Sequence, residues 1–194
     1  MRVIRQSRDI FFPRVIALGT FDGVHLGHQR LLETGRELAD RYGAKLRVCT
    51  FDRHPLSVLR PDRTPRELTS ILMKAKIMAR MGVDEMQLIP FDRREADLSP
   101  EEFLTQLRKS VRVRAVVAGW NYTFGKGGLG TAETLRADGE QHGYEVVIVP
   151  PVTTENGQVI SSSAIREALA AGNIAAAEEM LGRPLPRSGM AGMV

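Results

Sequence analysis

The chain has 194 residues, 43% of them apolar and 26% charged, with a formal net charge of +4. That is room for one domain with a full core. No apolar run nears the ~20 residues that cross a bilayer, and the N-terminal Met-Arg-Val-Ile-Arg-Gln-Ser lacks the apolar centre of a signal peptide. The single cysteine, Cys49, excludes a disulfide framework within the chain, and the cytoplasm is the expected compartment. The arginines are spread out and aromatics make up only 6%. Phosphorylated small molecules are therefore the expected partners, rather than nucleic acid or membrane.

The first strand-like run, 15–18, is followed by Gly19-Thr-Phe-Asp-Gly-Val-His-Leu-Gly-His28 and a helical stretch over 28–42. A strand, a glycine-bearing turn and a helix start bring backbone N–H groups close to a phosphate. His25 and His28, three apart, share one face of the helix start, where they can steady charge growing on that phosphate. The competing reading is a pair of histidines that only cap the helix. No cysteine or third histidine stands nearby at ligand spacing, so no protein metal site is expected.

The second run, 46–51, leaves through Thr50-Phe-Asp-Arg-His-Pro55, where the proline keeps His54 extended. This is either a rigid exit turn or one wall of an acceptor pocket. A helix over 70–81 and a strand over 86–89 follow. The next helix, 100–110, opens on Ser99-Pro100-Glu101-Glu102, a cap, a first-position proline and acids in the first turn. The run 115–118 leads into Gly119-Trp-Asn-Tyr-Thr-Phe-Gly-Lys-Gly-Gly-Leu-Gly130. Its Trp120, Tyr122 and Phe124 suit a flat heterocycle, with Lys126 on a phosphate or simply solvated. Thr131 begins a helix over 131–142, and 146–149 is the last strand. Ser161-Ser162-Ser163-Ala-Ile-Arg166 then supplies either plain caps or, with Arg166 as a fixed cation, a second anion cradle. Residues 161–181 read as two helices broken at Gly172-Asn173, with an extended or loosely held tail after Gly182.

The alternation implies an α/β protein: a Rossmann-like, open, mostly parallel five-stranded sheet with helices on both faces. Ligands in such sheets sit beyond the carboxyl ends of the strands. The unusual segments 19–28, 52–65, 119–130 and 150–163 all follow strand ends, so one rim is expected to collect them.

In this order, Gly19–His28, Thr50–Pro55, Asn121-Tyr-Thr-Phe-Gly125 and Ser161–Arg166 resemble the FMN adenylyltransferase (FAD synthetase) module of prokaryotic bifunctional riboflavin kinase/FAD synthetases. Lesser matches are Leu68-Thr-Ser70 with Lys74, Ser99-Pro-Glu-Glu-Phe103 and Pro150-Pro-Val152. The resemblance implies a nucleotidyltransferase domain over 1–184, and a tail over 185–194 in place of the riboflavin kinase domain. It implies transfer of AMP from ATP to FMN with Mg²⁺, giving FAD and pyrophosphate. His25, His28, Ser162 and Arg166 would be catalytic. Gly19, Thr20, Phe21, Asp22, Asn121, Ser161, Ser163 and Lys126 would serve binding, while Phe51, His54, Pro55, Phe103 and Phe124 would border the flavin. The chain departs from the family at Arg53 (often proline), Leu59 (often aromatic), Val159 (basic in some members) and Ser163 (usually threonine). Two alternatives stay open: a related nucleotidyltransferase with another acceptor or nucleotide, and a non-catalytic flavin- or nucleotide-binding module.

Overall fold

Uninterrupted apolar runs become buried strands, and the computed structural model, which describes residues 1–5 and 9–185, has six parallel strands in all. They are β1 (Arg2–Ile4), β2 (Asp9–Leu18), β3 (Lys45–Phe51), β4 (Glu85–Ile89), β5 (Val111–Gly119) and β6 (Glu145–Val149). The order is β1-β4-β3-β2-β5-β6, and every neighbouring pair is parallel. The sheet exceeds the expected five strands by β1, an edge strand paired only with β4. Three residues opening on an arginine carry no apolar run, so pairing alone reveals it.

Among the described residues six α-helices lie between strands, α1 (Leu26–Arg41), α2 (Leu56–Leu59), α3 (Ile71–Arg80), α4 (Arg93–Asp97), α5 (Pro100–Ser110) and α6 (Ala132–His142), and two follow β6, α7 (Ser162–Ala170) and α8 (Ile174–Leu181). Local chemistry sets their ends. Ser99 accepts from the Glu102 amide while Glu102 accepts from the Ser99 amide, a reciprocal cap that starts α5. α6 stops at Gly143, whose φ of 74° a side chain would resist. The expected tail falls largely on 186–194, outside the described residues. Its first residues are tied down, because Leu185 N donates to Glu178 at 2.8 Å.

Side chains alternate across each strand, so each face of the sheet collects one parity. Val15, Ala17, Leu46, Val48, Met86 and Leu88 pack with α1 and α3. Ile16, Leu18, Val116 and Ala118 pack with Phe103, Leu104 and Leu107 of α5 and Leu135 of α6. A third cluster joins α7 and α8 to Leu26 and Leu68, covering the carboxyl end of the sheet.

The opposite end holds buried charge. Arg14, Arg47 and Glu85, on three adjacent strands, are each at most 2% exposed. Glu85 pairs with Arg14 at 2.9 Å and Arg47 at 2.6 Å, and Arg14 also pairs with Asp9 at 2.7 Å. The two guanidinium groups hold the Glu85 carboxyl below its ordinary range against the upward push of burial. Removing the shared carboxylate leaves buried cations undercompensated. Glu85→Leu should therefore lower stability by about 3–5 kcal/mol, measured as a reduced urea midpoint at unchanged slope.

Candidate active site

β2 is flanked by β3 and β5, the place where strand order reverses and a crevice opens beyond the strand ends. The chain leaves β2 through Gly19, where an added Cβ would lie 3.1 Å from the Phe21 ring. Phe21 (φ 51°), Gly23 (φ 84°) and Val24 (φ 42°) all adopt left-handed backbone. For bulky or β-branched residues this conformation is a real outlier, costing about 1–3 kcal/mol each. Hydrogen bonds with other parts of the chain hold the turn. Ser162 Oγ donates to the Asp22 carbonyl at 2.8 Å, and Gly23 N donates to Thr69 Oγ1 at 2.9 Å. Gln29 Nε2 and Arg183 both donate to the Val24 carbonyl, at 3.0 and 3.1 Å. The Asp22 carboxylate, itself buried, accepts from the amides of Leu68 and Thr69 and from the Arg166 guanidinium.

The two histidines follow from this turn. His25 caps α1, its Nδ1 accepting from His28 N at 3.3 Å. A ring nitrogen that accepts carries no proton, so the proton of neutral His25 sits on Nε2. The His28 ring stacks on His25 at 3.7 Å between centroids and tilts against Phe21 at 5.2 Å. Gly27 permits the arrangement, since a Cβ there would meet the His25 ring at 3.1 Å. Burial pushes the His25 pKa down to about 4, with Asp22 opposing and Arg183 reinforcing the shift. His28 is held well below its ordinary value by burial, then by His25 and Lys74. Both rings are neutral at pH 7 and act as hydrogen-bonding groups rather than cations. His28 Nδ1 is buried without a hydrogen-bond partner among the described residues.

These groups open onto one cleft of about 540 Å³. Gly19, Thr20, His25, His28, Asn121 and Ser161–Ser163 line it, and Ser161 Oγ caps α7 by accepting from Ala164 N at 3.1 Å. The Ser162 bond to Asp22 brings the α7 start against the turn that starts α1. The other end is aromatic. Phe91 meets Phe51 edge-on at 4.7 Å, Phe103 tilts against Phe124 at 5.2 Å, and Tyr122 stacks on Phe124 at 5.8 Å. The glycine-rich loop is folded down here. Phe124 and Gly130 exchange backbone bonds at 2.9 and 3.1 Å, and a Cβ on Gly130 would strike the Phe124 ring at 2.6 Å. Cys49 also lines the cleft, but burial pushes its thiol up to about 12, so it stays protonated.

No lysine or arginine lines the cleft among the described residues, and Glu95 is its single carboxylate. Cations stand beside it instead. Arg53, His54, Glu67 and Lys74 border a small adjoining chamber with Thr20, Asp22, Phe51 and Pro55. Lys74 is buried and donates to the Thr20 carbonyl at 3.2 Å.

Arg166, expected on phosphates, rests its guanidinium on Asp22 and the Arg66 carbonyl. Lys126 pairs with exposed Asp97 at 3.0 Å. Phe21 and Asp22 lie beneath the turn rather than in the main cleft, whereas Phe51, Pro55, Phe103 and Phe124 line it. His54 borders the side chamber, its Nδ1 accepting from Leu56 N. Gln29, Thr69 and Arg183 also hold the turn, and Glu95 lines the cleft. Only Thr69 carried a signal, within Leu68-Thr-Ser70.

A sequence model described as FAD synthetase matches residues 9–164. The bifunctional riboflavin kinase/FMN adenylyltransferase of Listeria monocytogenes is 39% identical over 91% of this chain, which spans 56% of that protein. The chain thus covers about half the length of such relatives. A protein from the same species described as FAD synthetase is 34% identical over 88% of this chain and 69% of its own. Among solved structures, one described as a macrolide-efflux protein from Streptococcus pneumoniae is 33% identical, with a TM-score of 0.83 over 95% of this chain and 61% of its own. No helix among the described residues is long and apolar enough to cross a membrane.

The lowered histidine values have a thermodynamic consequence. Between the ordinary value of 6.5 and about 4, the unfolded chain binds protons that folded His25 refuses. Stability therefore falls on acidification through that window. Thermal unfolding should show the fall, a His25→Asn variant should flatten it, and an NMR titration should keep His25 neutral at pH 5.

Proposed function

The chain belongs to the FAD synthetase family, and on that premise we propose that it transfers AMP from ATP to FMN, yielding FAD and pyrophosphate. The observation that carries this reading is the two-ended cleft. Two helix starts and a neutral histidine pair stand at one end, and a cluster of aromatic rings stands at the other.

The triphosphate would lie against the starts of α1 and α7, where unpaired N–H groups favour anions. Asn121 lies beside it, and the isoalloxazine would lie among Phe51, Phe103 and Phe124, bordered by Pro55 and His54. A phosphate oxygen of FMN, largely a dianion at neutral pH, forms a bond to the α-phosphorus as the bond to the bridging oxygen of pyrophosphate breaks. No general base is needed, because the attacking oxygen already bears charge. His25 through Nε2–H and His28 through a ring N–H would donate to the α-phosphoryl oxygens as charge builds. Their neutrality suits this role, since each offers a donor in any state from neutral upward. Ser162 and Ser163 would meet the departing phosphates. Arg166 would join them by exchanging its Asp22 contact for pyrophosphate, and Lys126 by leaving Asp97.

Among the described residues no three His, Cys, Asp or Glu side chains form a metal-binding group. Mg²⁺ would then enter as Mg–ATP, held by triphosphate oxygens and water. Bound there, it would neutralise phosphate charge in a cleft whose lining holds no lysine or arginine.

Incubation with ATP, Mg²⁺ and FMN should yield FAD on chromatography. Pyrophosphate release from ATP or CTP without FMN would indicate another acceptor, and binding without turnover a non-catalytic module. His28→Ala should lower turnover by about 10²–10³-fold, the typical loss of one preorganised donor, with circular dichroism confirming the fold.

A further inference from the structure

Arg183 follows α8, 159 residues from the Val24 carbonyl it grips and beyond the stretch 9–164 that carries the family match. Its guanidinium, half-buried, donates to three backbone carbonyls, those of Gly23, Val24 (3.1 Å) and Leu181 (3.2 Å). No carboxylate pairs with it among the described residues, and burial lowers its affinity for its proton. A partly buried, uncompensated cation is costly to keep. Its three acceptors are all main-chain oxygens, two of them within the strained turn.

The approach is built from both sides. Gly182, with a φ of 65°, ends α8 directly against Leu26, where a Cβ would lie 2.5 Å from that side chain. Gln29, on the first turns of α1, spans the same gap, donating to Val24 O at 3.0 Å and Leu181 O at 2.9 Å. The peptide unit explains what this grip does. In a trans peptide the N–H points opposite to the C=O. With the Gly23 carbonyl on Arg183, the Val24 N–H turns back to the Phe21 carbonyl at 3.3 Å and closes the left-handed turn. With the Val24 carbonyl on Arg183 and Gln29, the His25 N–H is directed away from them.

We propose that Arg183 is a positioning residue of the phosphate end of the cleft: it holds the Gly23 and Val24 carbonyls so that the strained turn presents His25 and the α1 start to an anion. The proposal rests on the reading that this end binds the phosphates of ATP. A purely structural Arg183 would only pin α8 to the body of the domain, and the two roles separate by which substrate they affect.

The test measures binding of Mg–ATP by calorimetry and of FMN by flavin fluorescence, using the full chain. Arg183→Met should weaken Mg–ATP about ten- to a hundredfold, the equivalent of one lost charge-assisted bond, and leave FMN binding unchanged. Arg183→Lys, which keeps the charge and part of the grip, should recover most of the loss. Glu178→Ala releases Leu185 from the same segment without touching the turn, and should change neither affinity. Should Arg183→Met not fold, Gln29→Ala removes the other donor on Val24 O and should weaken Mg–ATP alone. The proposal is overturned if Arg183→Met, or Gln29→Ala in its place, binds Mg–ATP as the wild type does. Equal loss of both ligands, a Glu178→Ala defect of the same size, or wild-type protein that does not bind Mg–ATP also overturns it. Wild-type protein that binds Mg–ATP yet forms no FAD would sink the adenylyl-transfer reading and leave the role of Arg183 standing.

Discussion

Three consecutive carbonyls, those of Asp22, Gly23 and Val24, are each gripped by a donor from another part of the chain. The rest of the site depends on those grips. Left-handed backbone at Phe21 and Val24 is unfavourable by itself, and the turn persists because its surroundings over-determine it. From that turn come the placement of His25 over the α1 start, the stacking of His28 upon it, and the narrow gap bridged by Ser162. Local strain is thus offset by long-range hydrogen bonds, and the element so held carries the histidine pair that lines the cleft.

The electrostatic layout has the same logic. The cleft walls offer neutral donors, while cations stand one layer back: Lys74 under Thr20, Arg166 on Asp22 and Arg183 behind Val24. Without ligand, these charges are satisfied by carbonyls and one buried carboxylate, so the site is not a bare positive hole. Under the proposed function, an incoming polyphosphate would meet their summed field through a thin wall of backbone, where the low dielectric strengthens it. Burial lowers both histidines first; Arg183 lowers His25 further, and Lys74, with His25, lowers His28. At the far end of the sheet, the Asp9–Arg14–Glu85–Arg47 group is balanced internally and serves the strand pairing, not the cleft.

Much of this could be read from the chain alone. Each of the five expected strand runs lies within an observed strand, and α5 spans Pro100–Ser110 as its cap and proline imply. α1 begins two residues earlier than expected because His25, not a later residue, is its cap. The rim of loops formed because every unusual segment followed a strand end. β1 escaped notice since an edge strand three residues long has no periodicity to read. Arg14, Arg47 and Glu85 interrupt apolar runs and would ordinarily mark solvent, yet pairing across three strands lets them be buried.

The site divides along the same line. His25, His28, the serine cluster and the aromatic loop announced themselves through short-range patterns, in which glycine, cap and hydroxyl spacing restrict the backbone within a few residues. Arg183 and Gln29 give no such signal, and Arg166 faces Asp22 rather than open cleft. A lone arginine after a helix looks the same whether it meets water or a carbonyl 159 residues away. The sequence by itself therefore determined the strands, the caps and the glycine turns, because those are set by local sterics and side-chain periodicity. Only the tertiary structure decided which donors hold the turn and where the cations rest, because those contacts depend on how α7 and α8 pack back across the strand ends.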